Sequence, residues 1–331
     1  MGFLDNRINL AADWYKRNNF DLIGWTSTQG AGGQVNRMGN VASMKSHGFE
    51  FTLSTKNIRG KDFSWSTDLI FGLSKTRVTD LKTRSFMFAL ISGSGFTREG
   101  YPHRGLFSIP FAGLDDQGFP MFEISDGNDR KILVTKSNYG ALNFQEMEHL
   151  DFLKYEGPTD PTITGSLGNV LSYKNWKLNV FVTYSAGNKV RLDPVFKSSY
   201  NDLDATPKDF KNRWRVVGDE ERTNVPVISA RRQHQLYSNL NLGYNAYNYS
   251  TARIADGGFV RMKEISLTYS LPGSLLKGKL LKSASLKVQA TNLFLIYSDR
   301  KLNGQDPEFF RSGGVSAPVP KQFTCTLRLG F

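Results

Sequence analysis

Apolar and polar residues alternate with period two along unusually long stretches of this chain. That pattern limits what it can fold into more than any other feature. Near the C-terminus Phe323, Cys325, Leu327, Leu329 and Phe331 fall on one side, and Gln322, Thr324, Thr326, Arg328 and Gly330 on the other. Trp176, Leu178, Val180, Val182 and Tyr184 form a second apolar face opposite Lys177, Asn179, Thr183 and Ser185, with Phe181 as its exception. Ile8, Leu10, Ala12 and Trp14 repeat the pattern, as do Phe49, Phe51 and Leu53, then Phe63, Trp65, Leu69, Phe71 and Leu73, and then Ala284, Leu286, Val288 and Ala290. Residues 163–173 and 259–271 are two further candidates. Side chains point to alternate faces only in a strand, so the chain is all-β.

The alternating runs are about ten residues long, where ordinary strands average about five or six. Long alternating strands suit an antiparallel up-and-down transmembrane barrel, with one face in lipid and the other toward a polar lumen. A soluble β-sandwich alternates as well, usually in shorter strands. Aromatic placement favours the barrel: Trp176 and Tyr184 cap a face that is aliphatic between them, as an interface girdle would. Eight residues at about 3.3 Å each cover roughly 26 Å, or about 20 Å after barrel tilt, close to the height of an outer-membrane apolar band.

Connection lengths give an independent indication. Residues 163–173 and 175–185 are joined around Lys174, residues 47–56 and 62–75 by Asn57–Lys61, and a modest link holds Leu271-Pro272-Gly273. The stretches 17–46, 186–258 and 297–320 are long. Counted back from a last strand running toward the periplasm, the long connections all fall on the outer side and the short turns on the periplasmic side. Residues 76–162 hold either no full strand or two short ones, near 104–112 and 119–125, which gives eight or ten strands in all.

Composition removes several classes. With 24 Phe and 13 Tyr the chain is not disordered. No apolar run approaches the length of a membrane-spanning helix; Met87–Ile91 is far too short. The first 30 residues show no signal peptide, because Asp5, Arg7, Asp13, Lys16 and Arg17 interrupt any apolar segment. Taken literally, that start makes the chain cytoplasmic; the other reading is that Met1 is not the true start and an N-terminal part is missing. A single cysteine, Cys325, excludes an internal disulfide and any Cys-rich metal site.

No enzyme motif is legible, and no catalytic, cofactor-binding or metal site is expected. His47, His103, His149 and His234 have no metal-ligand spacing, and Gly93, Gly95 and Gly100 fit neither a dinucleotide fingerprint nor a phosphate loop. Asp126-Gly-Asn-Asp129 lacks the ligand spacing and closing Glu of a calcium loop, and Asp115-Asp116 reads as a turn former. The formal charge is +12, and Lys208, Lys211, Arg213, Arg215, Arg222, Arg231 and Arg232 cluster in the longest connection. Asp209, Asp219, Glu220 and Glu221 are interleaved with them, so a solvated loop near anionic lipid headgroups accounts for the cluster better than nucleic acid does.

Five ordered stretches resemble the C-terminal part of the SusC/RagA-type TonB-linked outer-membrane proteins of the Bacteroidetes. They are Asn6-Arg-Ile-Asn-Leu-Ala-Ala-Asp-Trp-Tyr-Lys-Arg-Asn18 with Asp21-Leu-Ile; Gly48-Phe-Glu-Phe-Thr-Leu53; Glu99-Gly-Tyr-Pro102 with Phe111-Ala-Gly-Leu-Asp-Asp-Gln-Gly-Phe-Pro120; Asp160-Pro-Thr-Ile-Thr-Gly-Ser-Leu-Gly-Asn169 with Tyr173-Lys174; and Gly258-Phe-Val-Arg-Met-Lys-Glu-Ile-Ser-Leu-Thr-Tyr-Ser-Leu-Pro272. Thr291-Asn-Leu-Phe294, Asp306-Pro-Glu308 and the terminal strand add to them. Met262 stands where that family usually has Leu, and Glu264 where it usually has Asn.

The resemblance implies that residues 1–331 are eight to ten strands of a larger, 22-stranded type of barrel in the outer membrane, without its plug domain. It implies import of glycans or peptides with a SusD-like lipoprotein, energised by the TonB complex through the missing N-terminal part. It also marks Phe323, Cys325, Leu327, Leu329 and Phe331 as the assembly signal read by the barrel assembly machinery. A segment cut from such a barrel has two open edges, and unpaired backbone groups in hydrocarbon cost several kcal/mol each. The isolated chain is therefore expected to be a fragment rather than a working transporter. The alternative is a soluble or surface β-rich binding or adhesion module, which would bury the Trp176–Tyr184 face against a second sheet.

Overall fold

In a computed structural model of the chain, which describes residues 2–27, 30, 36–83, 85–125, 130–145, 147, 149–196, 206–277, 280–310 and 318–331, the alternating runs become one antiparallel sheet. Its long strands are β1 (Ile8–Ser27), β2 (Asn36–Arg59), β3 (Phe63–Leu81), β4 (Ile163–Tyr173), β5 (Trp176–Ala186), β6 (Phe259–Ser270), β7 (Ser283–Ser298) and β8 (Gln322–Gly330). They lie side by side in chain order, with the two-residue strand Gly2–Phe3 along the free side of β1. The order is that of an up-and-down meander. The lower of the two strand counts holds: the segments near 104–112 and 119–125 lie in separate sheets of two and three strands. Strands β1 and β2 run further than the alternation shows, so the connection read as 17–46 shrinks to the residues between Ser27 and Asn36. Among the described residues, β8 pairs only with β7, and the sheet stays open.

Register turns separate alternating runs into one continuous face, because directly paired residues share a side of the sheet. Leu10, Leu53, Leu69, Leu167, Val182, Met262 and Phe294 stand opposite one another in a single row across seven strands. The row Ser54, Asp68, Gly168, Phe181, Glu264, Thr291 and Gln322 lies on the other side and is polar apart from Phe181. A bulge on β6 between Met262 and Glu264 keeps this assignment intact across β5 and β6. The apolar face is open to its surroundings: Trp14 is 70% exposed, Val288 52% and Phe323 74%. Among the described residues no second sheet buries it, which argues against a sandwich.

One end of the sheet is tight. The β4–β5 hairpin turns through Lys174, held at φ 51°, and the Lys174 amide donates to the Asp62 carbonyl in the neighbouring β2–β3 turn at 2.7 Å. The connections that enter and leave the other end hold the hydrophobic core. Leu90 and Ile91 of α1 (Met87–Ser92), then Phe107, Ile109, Phe119, Phe122, Tyr139 and Leu142, pack with Val195, Phe196, Tyr244 and Tyr247. Tyr244 and Tyr247 come from α3 (Leu240–Asn248), which follows the shorter α2 (Arg231–Leu236). No residue of that core belongs to a strand of the large sheet. This partition suits a lipid surround: the sheet leaves most of its large apolar side chains exposed, and the main buried cluster lies in the folded connections beyond it.

Candidate functional site

The long connections do not hang as separate loops; they fold together into a cap over one end of the sheet. Arg191 bolts the cap together. Its guanidinium donates to the carbonyls of Ile91 at 3.0 Å, Phe107 at 2.6 Å and Ser250 at 3.3 Å, and to Ser108 Oγ at 3.0 Å. One side chain thereby satisfies groups from both the 82–162 and the 187–258 connections. Arg253 is buried beside it in the chain path, paired with Asp209 at 2.6 Å and donating to the Asp193 carbonyl at 2.7 Å. The connection between β7 and β8 is tied in by Asn303 to Asp209 at 2.5 Å and by Leu302, which packs on Val190, Leu192 and Ala255.

The sequence-predicted groups in the cap have identifiable roles. Asp115 Oδ1 accepts the amides of Gln117 and Phe119, each at 2.9 Å, and Oδ2 accepts Lys136 Nζ at 2.8 Å, so Asp115 forms a turn and pairs with no second carboxylate. The acids interleaved with the basic cluster also hold turns. Asp219 accepts the amides of Val216 and Arg215, and these bonds hold its carboxyl below the usual carboxylate range. Glu220 accepts Trp214 Nε1 at 2.8 Å, which lowers its pKa likewise, and the Trp214 ring lies against Gly118. Burial pushes the Tyr247 phenol up to about 12 and raises that of Tyr139, whose hydroxyl donates to the Pro120 carbonyl at 2.6 Å. These phenols stay neutral and serve packing. Among the described residues no cluster of His, Cys, Asp and Glu could hold a metal ion. Asp126–Asp129 lies outside the described residues.

On the large sheet, Trp176 and Tyr184 share the apolar face. Trp176 is exposed at the tight end, with its ring 4.5 Å from that of Tyr269, and Phe63 and Tyr173 lie in the same row. Tyr184 lies flat across Gly165, and its hydroxyl donates to the Ile70 carbonyl at 3.0 Å. Phe323, Cys325, Leu327 and Leu329 of β8 stand opposite Ala290, Val288, Leu286 and Ala284, exposed along the apolar face, and Phe331 follows the strand.

Comparison with known proteins places this geometry. No protein-family model matches the chain. The chain is 24% identical over 337 residues to TonB-dependent receptor P3 of Formosa agariphila, covering 93% of itself and 29% of that protein. It is 24% identical over 335 residues to TonB-dependent receptor SusC of Bacteroides thetaiotaomicron, covering 99% of itself and 30% of that protein. This chain is a homologue of the SusC-type TonB-dependent receptors. Its fold matches a chain of the RagAB peptide transporter with a TM-score of 0.72 at 21% identity, over 100% of this chain and 34% of that one. The RagAB importer in its open-open state matches with a TM-score of 0.70. The receptor homologue thus spans about a third of the length of the relatives it matches. TonB-dependent receptors of this type are outer-membrane proteins, and the outer membrane is where the exposed apolar face belongs.

Several residues that organise this chain carry no local sequence signal. Arg191, Arg253 and Asp209 sit in long connections and gain meaning only from long-range contacts. Lys16, Lys45, His47, Lys75 and Arg77 come from three strands and meet only through register. The signal for them was present but faint: each extends the alternation of an apolar face past its last apolar residue.

Proposed function

We propose that this chain is the C-terminal barrel segment of an outer-membrane importer of large nutrients, glycans or peptides, energised by the TonB complex and capped by a SusD-like lipoprotein. The observation that carries the reading is the division of labour in the fold. One face of an eight-strand meander is apolar and exposed, the other is polar, and the long connections fold into a single cap at one end. A polar wall below a structured cap suits the passage of a large hydrophilic solute past a partner lid. Val216 and Val217, exposed at the tip of the 206–230 segment, offer the cap apolar contact for such a lid. Residues 1–331 then form the closing part of a larger barrel of the 22-stranded type, whose first strands would cover the free edge of β8. Phe323, Cys325, Leu327, Leu329 and Phe331 serve as the assembly signal, and Trp176 and Tyr184 mark the interface girdle.

The test is deletion of the full reading frame in its host, followed by uptake of labelled oligosaccharides and peptides and by affinity purification from outer membranes. Loss of uptake that a protonophore also abolishes, with a lipoprotein co-purifying, is expected. Unchanged uptake of both classes and no associated lipoprotein would overturn the reading.

A further inference from the structure

The apolar face of β1–β3 ends abruptly in cations. Trp14, Phe49 and Leu73 stand opposite one another in one row. Two residues nearer the cap the row is Lys16, His47 and Lys75, and two further on it is Asn18, Lys45 and Arg77. Same-side rows lie about 7 Å apart, so the surface passes from aromatic to cationic within that distance. Lys16, Lys45, His47, Lys75 and Arg77 are all exposed. None of the ion pairs among the described residues includes any of them. Lys45 and Arg77 are direct cross-strand partners, an arrangement that repels unless an anion intervenes.

The row is also recessed. The cap segment at Glu99–Tyr101 pairs with the outer end of β3, through Gly100 N to the Val78 carbonyl at 2.9 Å and Val78 N to the Tyr101 carbonyl at 2.8 Å. It forms one wall of a cleft of about 580 Å³ lined by Lys16, Lys45, His47 and Arg77, with Glu99 as the single carboxylate. Lys16, Lys45, His47 and Arg77 share the side of the sheet that carries Trp14 and Phe49, so the cationic lining of the cleft belongs to that face and not to the polar wall. It lies at the cap end of that face.

We infer that this cleft binds the phosphorylated headgroup of an outer-leaflet glycolipid, with the acyl chains lying along Trp14, Phe49 and the apolar rows beneath. Charge decides the headgroup: three cations and a histidine line the cleft against one carboxylate, with Lys75 beside His47 in the adjoining row, and together they select a multiply charged anion. Position decides its source. A free anion needs no apolar ramp, whereas a lipid places its phosphates at the level where a membrane protein's aromatic row gives way to water. The inference rests on the outer-membrane orientation proposed above, with the cap outside.

The experiment uses the full-length receptor purified in mild detergent from outer membranes and examined by native mass spectrometry. The variant carries Lys16→Gln, Lys45→Gln, Lys75→Gln and Arg77→Gln together; a control carries Lys208→Gln and Lys211→Gln in the cap. Retained phosphorylated glycolipid should fall at least about tenfold in the first and stay unchanged in the second. A Lys16→Arg, Lys45→Arg, Lys75→Arg variant should retain it, which separates charge from misfolding. Added dephosphorylated glycolipid should not bind, and inorganic phosphate should not compete. Equal retention in the Gln variant, or equal binding of dephosphorylated lipid, would overturn the proposal. Full competition by inorganic phosphate would replace the lipid with a free-phosphate site. Absence of the receptor from the outer membrane would instead sink the functional reading itself.

Discussion

Arg261 on β6 and Asp306 in the β7–β8 connection form a buried pair, with Arg261 Nη2 at 2.5 and 2.6 Å from the two carboxylate oxygens. Their side chains are 6% and 9% exposed, and Glu308 adds a second carboxylate at 3.1 Å. The pair ties the connection to the polar wall of the sheet. Removing one partner of an isolated buried ion pair costs roughly 3–5 kcal/mol; here Glu308 still faces Arg261, so the loss falls below that range but remains large for a single contact. Asp306→Asn should therefore release the connection. Hydrogen exchange of residues 299–310 in the intact receptor should speed up markedly, while exchange across β4 and β5 holds. Unchanged exchange in 299–310 would show that the pair does not anchor this segment.

Arg191 makes a second prediction, within the cap alone. Arg191→Met preserves much of the side-chain length but strips donors from the carbonyls of Ile91, Phe107 and Ser250. Each buried acceptor left unsatisfied costs about 1–3 kcal/mol. Limited proteolysis should then cut within 82–162 and 187–258 in the variant, and leave the sheet as a protected core. A wild-type cleavage pattern would mean that hydrophobic packing alone holds the cap.

How far the sequence disclosed this arrangement depends on the range of the interactions. Period-two alternation is a local signal, so β4, β5, β6 and β8 are legible almost to the residue. Beyond Trp14 and before Phe49 the apolar face continues as Lys16, Asn18, Lys45 and His47, and the register then slips between Asn19 and Ile23 so that Phe20, Leu22, Ile23 and Trp25 keep no period of two; the outer halves of β1 and β2 therefore read as loop. The cap was legible only as length. Its strands are short, its helices are two or three turns at most, and its stability comes from Phe107, Phe119, Tyr244 and their neighbours meeting across more than a hundred residues of chain. The resemblance of the Gly258–Pro272 and Asp306–Glu308 stretches to one family is better explained once Arg261 and Asp306 are seen to touch.

Cys325 tests the direction of the apolar face. It is exposed on β8 opposite Val288, in the row adjacent to that of Phe323 and Ala290. With the apolar face in lipid, as proposed above, that exposure is to acyl chains. A nitroxide attached at Cys325 should be relaxed strongly by oxygen, which partitions into lipid, and weakly by a water-soluble nickel chelate. A label at Thr326→Cys in a Cys325→Ser background, one residue along and on the opposite face, should reverse the preference. Equal access of the nickel chelate to both labels would contradict a lipid-facing apolar side.

His103 gives the cap a pH dependence whose sign follows from its surroundings. Burial lowers its pKa from the ordinary 6.5; Asp160 opposes that shift and Arg104 adds to it. The ring packs edge-on to Phe96, with centroids 5.0 Å apart, in a site that favours the neutral imidazole. The unfolded segment therefore takes up a proton at higher pH than the folded one. Stability is complete above about 6.5 and is lost as pH falls from there through the lowered folded value. Exchange of amides in 95–105 should accelerate between about pH 7.5 and about pH 5.5. His103→Gln cannot titrate and should flatten the response. If the acceleration persists in that variant, the proton is taken up elsewhere.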